Sequence, residues 1–258
     1  DFLLGFMRIP LSKRSDLRLI ISSATIDTRL FSRIFHNAPV ITVGGRLFPV
    51  EIRYKPAIEL WKGYYMDCYI EGVLDAVQEL FRNGEDGDIL IFLPTIEDIL
   101  ETVNRLGQIC DKDVTILPLH SRMSAALQQD IFRPVSGRKI VVATNIAETS
   151  ITVPGIRFVI DCGLARMLSY EPAIGFTRMP IERISKASAQ QRAGRCGRVC
   201  NGVCIRLYSE QDFLSRPNFT TPEIRRTNLA GVILKMLSLG LGDAFRFPFP
   251  QPPSHRAL

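Results

Sequence analysis

The chain has 258 residues, 46% of them hydrophobic and 22% charged, the balance of a soluble globular protein with one or two properly cored domains. Its net charge of +6 and pI near 9.1 admit an anionic partner without requiring one. No apolar run approaches membrane-spanning length and no signal peptide is visible, which argues against a membrane helix; a start at Asp1 is expected of a piece of a longer protein.

In chain order, the apolar run Leu17 to Ile21 reads as a buried strand, followed by hydroxyls at Ser22, Ser23 and Thr25 and a short helix from Thr28 to Phe35. Residues 37–47 read as a linker, with Pro39, Gly44 and Gly45. Phe48 to Tyr54 alternates as a strand, and residues 55–67 are irregular. Ile70, Val73, Leu74, Val77, Leu80 and Phe81 mark an amphipathic helix ending near Asn83-Gly84.

Asp88 to Leu93 is a buried strand, and Thr95 opens a helix with Asp98 placed for a capping box. Val114 to Leu119, Lys139 to Ala143, Arg157 to Asp161 and Val203 to Tyr208 are further strands. A short helix between the first two carries Leu127, Ile131 and Phe132. Strands alternating with helices imply βαβ units and a largely parallel sheet. The runs Ala165–Tyr170 and Phe176–Ile181 interrupt that pattern as a β-hairpin. Pro222 opens a helix running to about Leu237, and FPFPQPP leaves in extended form.

Six cysteines are present. Cys196, Cys200 and Cys204 are spaced four apart, no standard zinc pattern, and no His lies near them. Reduced thiols in a cytoplasmic protein are expected, with Cys204 a core residue of its strand.

The stretch with the most chemistry is Ser188 to Arg198, SAQQRAGRCGR. Read as a helix, it places Gln191, Arg195 and Arg198 at i, i+4 and i+7 on one face, with Arg192 turned away to pair with an acid of its own domain. Gly194 and Gly197 let another backbone or a ligand come close. Two guanidinium forks and an amide on one face suit a polyphosphate, and a solvated basic helix is the plain alternative.

QRAGRCGR resembles the QRxGRxGR motif of superfamily 2 helicases, and the rest of the chain resembles the DEAH-box branch, most closely bacterial HrpA-type RNA helicases. The resemblance implies that Gln191, Arg195 and Arg198 face the terminal phosphate of a nucleotide. ATNIAETSITVPGI resembles the family's motif V. Thr144 and Asn145 would then touch RNA backbone, and Ser150 and Thr152 would lie by the nucleotide and its magnesium. Taken as residues alone, such Ser/Thr/Asn clusters are more often turns and caps. Pro154 stands where many eukaryotic relatives carry an Asp, so the resemblance does not carry that Asp's nucleotide contact over to this chain.

LPLHSRMSAALQQDIF resembles the RNA-contacting loop, so Ser121 and Arg122 would touch phosphates. Phe132 matches the aromatic residue that stacks on the nucleotide base, with core packing as its alternative, and such stacking tolerates several bases. ISSATI resembles the SAT motif, giving Ser23, Ala24 and Thr25 a coupling role, against a plain helix cap. ILIFLP corresponds loosely to motif IV, with Thr95 assigned structure only. The hairpin at 164–182 resembles the strand-separating hairpin, against an edge ribbon.

The sequence has no G-x-x-x-x-G-K-[ST] loop and no DEAH box, both of which lie upstream in the family. The expected fold is α/β, a RecA-like parallel sheet flanked by helices, with an inserted β-hairpin. Residues 1–38 would end a first RecA-like domain, 39–47 link, 48–215 form the second, and 216–258 start a winged-helix domain. The implied activity is ATP-dependent RNA helicase, using ATP, possible other nucleoside triphosphates and Mg2+, on single-stranded or partly duplex RNA, travelling 3′ to 5′. This chain alone is expected to be inactive. The alternatives are a DEAH-like RNA-binding scaffold without catalysis and a DNA-directed superfamily 2 helicase; a dinucleotide enzyme fails for want of a G-x-G-x-x-G turn.

Overall fold

The computed structural model describes residues 2–23, 27–43, 48–57, 60–61, 64–65, 69–149 and 151–254, with backbone alone at 60–61 and 64–65. The chain divides into two compact units, a larger one of residues 44–166 and 181–218 and a smaller one of 1–43, 167–180 and 219–258.

In the smaller unit, helix α1 spans Phe2–Lys13 and α2 spans Thr28–Ile34. The larger unit begins with strand β1, Val50–Tyr54, and a short antiparallel pair, β2 Leu60–Trp61 with β3 Tyr64–Tyr65. Helix α3 follows at Tyr69–Arg82, then β4 Asp88–Phe92, α4 Ile96–Ile109, β5 Thr115–Leu119 and α5 Ala125–Gln129. A 3-10 turn at Asp130–Phe132 leads to β6 Lys139–Ala143, α6 Ile146–Thr149 and β7 Ile156–Asp161. Next come β8 Leu164–Arg166, β9 Ser169–Glu171, β10 Phe176–Arg178, β11 Ile181–Arg183, α7 Lys186–Ala193 and β12 Gly202–Arg206. Helix α8, Glu210–Ser215, ends the larger unit, and α9, Ala230–Ser238, belongs to the smaller.

Six parallel strands form the central sheet in the order β1-β12-β7-β4-β6-β5. The four inner strands, β12, β7, β4 and β6, are largely apolar runs because both faces are covered, whereas the edge strand β1 alternates and keeps Glu51 exposed. Along β4 the side chains alternate: Ile89 and Ile91 enter one core cluster with α3 and α4, while Leu90 and Phe92 enter the other with Ala147, Ile131 and Ala193. The capping box is formed as expected, Thr95 Oγ1 accepting from Asp98 N at 3.0 Å and Asp98 Oδ2 from Thr95 N at 3.1 Å.

The expected hairpin is two short antiparallel pairs. In the larger unit β8 pairs with β11, and in the smaller one β9 pairs with β10. The ladders are interrupted at Pro180, which has no N–H to donate, although its carbonyl still accepts from Met167 N at 3.1 Å.

Three expectations are corrected, and one element is new. Residues 17–21 form no strand, and Ile20 is 91% exposed. An apolar run becomes a strand only beside a partner, and among the described residues none pairs with it. Residues 55–67 contain the β2–β3 pair rather than being wholly irregular. The single helix from Pro222 is a 3-10 turn, Glu223–Arg225, then α9, because Asn228 Oδ1 accepts from Ala230 N at 2.8 Å and starts a new helix. Helix α1 was not foreseen; Phe2, Phe6 and Ile9 bury it against Ile224, Leu229, Met236, Phe247 and Phe249.

Candidate functional site

Helix α7 starts at Ser185, whose Oγ accepts from Ser188 N at 3.2 Å, and stops at Gly194. The expected continuous helical face is therefore corrected: only Gln191 lies on the helix, and Arg195 and Arg198 lie on the turns after it. Two poor helix formers, Gly194 and Gly197, make the stop inexpensive. Gly197 serves a backbone. Its carbonyl accepts from Phe48 N at 2.9 Å, and a Cβ there would lie 2.6 Å from Val50 Cγ2 and 2.8 Å from the Phe48 carbonyl oxygen.

The two arginines nonetheless converge. Arg195 Nη1 donates to the Ile151 carbonyl at 3.1 Å and to Thr152 Oγ1 at 3.5 Å, and its Nη2 donates to the Glu148 carbonyl. Arg198 Nη1 donates to the same Thr152 Oγ1 at 2.8 Å. Arg195 is buried while Arg198 is exposed, and Arg195 Nε is buried without a hydrogen-bond partner. Burial, and next the charge of Arg198, hold the Arg195 pKa below its ordinary value, with Glu148 opposing.

Beneath them lies a buried network around Arg192. Arg192 is fully buried and does turn to acids of its own unit. Its Nε meets Glu148 Oε2 at 3.1 Å, its Nη1 meets Asp161 Oδ1 at 2.7 Å, and Nη1 and Nη2 both donate to the Leu164 carbonyl at 3.2 Å. The guanidinium also sits 4.8 Å from the Phe92 ring centre. Asp161 Oδ1 accepts from Gly163 N at 2.9 Å and Oδ2 from the Tyr208 hydroxyl at 3.0 Å. Burial opposes the Arg192 charge, yet Asp161 and Glu148 outweigh it and raise its pKa. Burial, and then Asp161, raise that of Tyr208. Glu148 and Asp161 were not singled out from the sequence. The available signal was Asp161 itself, an acid closing the otherwise apolar strand β7.

The strand ends carry the remaining candidates. Ser121 and Arg122 are exposed on the turn after β5. Thr144 is half-buried after β6, Asn145 is exposed, and Thr144 N donates to the Leu119 carbonyl at 3.1 Å. Adjacent parallel strands thus bring Ser121, Arg122, Thr144 and Asn145 to one sheet end, where open α/β sheets take ligands. His120 Nδ1 is buried there without a partner. Phe132 ends the 3-10 turn at 48% exposure, outside both core clusters, so it does not pack the interior. Ser23 is exposed, while Ala24, Thr25 and Ser150 lie outside the described residues. Among the described residues, no group of three or more His, Cys, Asp or Glu is placed to hold a metal ion.

The family described as "Helicase conserved C-terminal domain" matches residues 72–200. The ATP-dependent RNA helicase HrpA of Escherichia coli (strain K12) is 53% identical over 258 residues, all of this chain and 20% of that protein. The probable ATP-dependent RNA helicase DHX34 of Homo sapiens is 42% identical over 267 residues, again 100% of this chain and 23% of that protein. The crystal structure of the E. coli DExH-box NTPase HrpB superposes with a TM-score of 0.86 at 34% identity, covering 100% of this chain and 31% of that one. The chain thus spans 20% of the bacterial relative's length and 23% of the human one's.

Proposed function

The chain belongs to the helicase conserved C-terminal domain family and has its RecA-like fold, and from that premise we propose that it is the second motor domain of a DEAH-box, ATP-dependent RNA helicase. Residues 48–215 are the motor domain itself, 1–38 close a first RecA-like domain, 39–47 link the two, and 216–258 begin a winged-helix domain. The observation that carries the reading is the convergence of Arg195 and Arg198 on Thr152.

The donor set fits an anion. Arg198 is exposed beside Thr152, so its guanidinium can meet a phosphate oxygen. ATP with Mg2+, when bound, supplies the phosphoryl group that water removes. Arg195 and Arg198 stabilise the charge that develops on that group, and Gln191 orients the attacking water or a phosphate oxygen. Ser150 and Thr152 adjoin the nucleotide and its magnesium, and Phe132 offers a ring to the base. The carbonyls of Glu148 and Ile151 fix the Arg195 fork in advance, so little reorganisation remains for the reaction itself. Ser121, Arg122, Thr144 and Asn145 follow RNA phosphates without reading bases. Ser23, Ala24 and Thr25 couple the two events, and repeated domain closure moves the strand.

The test is steady-state ATPase of the full-length parent with saturating RNA. Arg195→Ala or Arg198→Ala should lower kcat by ~10³-fold or more, the scale of an arginine finger, while RNA binding without nucleotide persists. Arg195→Lys should not restore turnover, because one ammonium cannot serve the separate partners of Nη1 and Nη2. This chain alone should not turn over ATP. Retention of kcat by Arg195→Ala, or RNA-stimulated hydrolysis by the isolated chain, contradicts the assignment.

A further inference from the structure

Lys139 opens strand β6, and it is only 4% exposed. Lysine is rarely buried, because its ammonium loses hydration that an apolar side chain of similar length never had. The following residues of the strand, Ile140 to Ala143, are all apolar and fully buried, so packing alone asks for nothing charged here. The lysine's own interactions say what the charge is for. Its Nζ donates to the Ile131 carbonyl at 3.0 Å, and the bond is buried. The nearest acid, Asp88, lies at 4.0 Å from Nζ, beyond hydrogen-bond reach, and its other oxygen is already engaged by Lys139 N at 2.8 Å.

Ile131 is the residue immediately before Phe132. The 3-10 turn Asp130–Phe132 has no side-chain cap at its start, and Arg133 N closes it on the Asp130 carbonyl at 3.1 Å. A turn this short is weakly determined by its own hydrogen bonds. Two tethers fix it to the sheet: the Ile131 side chain, 1% exposed in the core, and the Ile131 carbonyl, held by Lys139. The next side chain is the exposed ring of Phe132.

We infer that Lys139 is a positioning residue for the nucleotide base, acting through the Ile131 carbonyl to set the plane that Phe132 offers for stacking. The inference rests on the reading that Phe132 stacks on the base. Stacking is made equally in the ground and transition states, so its loss should weaken binding without slowing chemistry.

The experiment uses the full-length parent and three variants, Lys139→Met, Phe132→Ala and the double variant. Calorimetry gives Kd for ADP and for tripolyphosphate, which has no base, and steady-state ATPase with saturating RNA gives KM and kcat. Lys139→Met should raise Kd for ADP, and KM for ATP, roughly tenfold, the low end of what one hydrogen bond to a charged group is worth. Its kcat and its Kd for tripolyphosphate should stay within about twofold of the parent's. Phe132→Ala should raise Kd for ADP by roughly ten- to a hundredfold, and the double variant should match Phe132→Ala alone, because the lysine acts only through the ring. If Lys139→Met does not fold, Lys139→Gln, shorter and polar beside Asp88, is measured in its place with the same expectations. Factors that multiply in the double variant, or a tripolyphosphate Kd that rises with that for ADP, overturn the role of Lys139. An unchanged ADP affinity in Phe132→Ala alone removes the premise instead, and the single variant distinguishes the two failures.

Discussion

Replacing Arg192 with Ala tests the buried network directly. The substitution removes a guanidinium held between Glu148 at 3.1 Å and Asp161 at 2.7 Å, together with both donors to the Leu164 carbonyl. A surface ion pair would cost ~1 kcal/mol or less. Here Arg192 and Asp161 are both fully buried, and breaking a buried pair by removing one partner costs ~3–5 kcal/mol, because the other charge stays behind. Asp161 keeps its bonds from Gly163 N and the Tyr208 hydroxyl, and Glu148 lies nearer the surface, so the lower end, ~3 kcal/mol, is expected. Urea denaturation of the purified chain, followed by far-UV circular dichroism, measures it as a shift of the midpoint at constant slope. Arg192→Met combined with Glu148→Gln and Asp161→Asn should recover more than half of the loss, since no charge is then stranded. A cost below ~1 kcal/mol for Arg192→Ala, or a triple variant no better than the single one, refutes the reasoning. A stably folded Arg192→Ala parent without turnover, beside an active Arg195→Ala, would reverse the roles of the two arginines.

Burial pushes the Cys162 and Cys196 thiols from an ordinary 9.0 up to about 12; the folded state therefore holds protons that the unfolded chain releases, and stability is full below about pH 9 and falls towards pH 12, by up to ~1.4 kcal/mol per pH unit per thiol. Melting temperatures that stay flat or rise between pH 9 and pH 11 would contradict this. Gly197→Ala should cost ~1–3 kcal/mol, because its Cβ meets the Phe48 carbonyl oxygen at 2.8 Å, and an unchanged urea midpoint argues against that approach. RNA binding should be insensitive to base sequence, and Arg122→Ala should flatten the salt dependence by ~0.7 in log–log slope, whereas Ser121→Ala should weaken binding without changing it. Affinity that follows base sequence but not salt would remove the backbone-tracking role.

What the sequence made legible was local. Thr95 and Asp98 announce a capping box because both partners lie within four residues, and the runs in β4 and β6 announce strands covered on both faces. Arg195 and Arg198 converge without the continuous helical face that their spacing implies. The helix stops at Gly194 and the turns after it bring both guanidiniums to Thr152, while Gly197 admits the Phe48 backbone, as its missing side chain implies. The partners of Arg192 lie 44 and 31 residues away, so their pairing follows from tertiary packing and from no spacing rule. Helix α1 is hidden from the sequence for a similar reason. Gly5 and Pro10 make FLLGFMRIPLSK a poor helix by propensity, and the aromatic cluster that buries it is supplied from the other end of the chain.

That cluster sets an order on synthesis. Arg8 donates to the carbonyl of Pro248, 240 residues later, and Phe2 stacks on Phe247 at 5.5 Å between ring centres. A ribosome adding roughly 5–20 residues per second exposes Phe2, Phe6 and Ile9 for roughly 12 to 48 seconds before Phe247 and Phe249 emerge. During that interval the six-stranded sheet, whose strands all lie between Val50 and Arg206, has every segment it needs well before α1 does. Until Phe247 and Phe249 arrive, the apolar face of α1 lacks the side chains that bury it, and it is there that a holding chaperone would have most to grip.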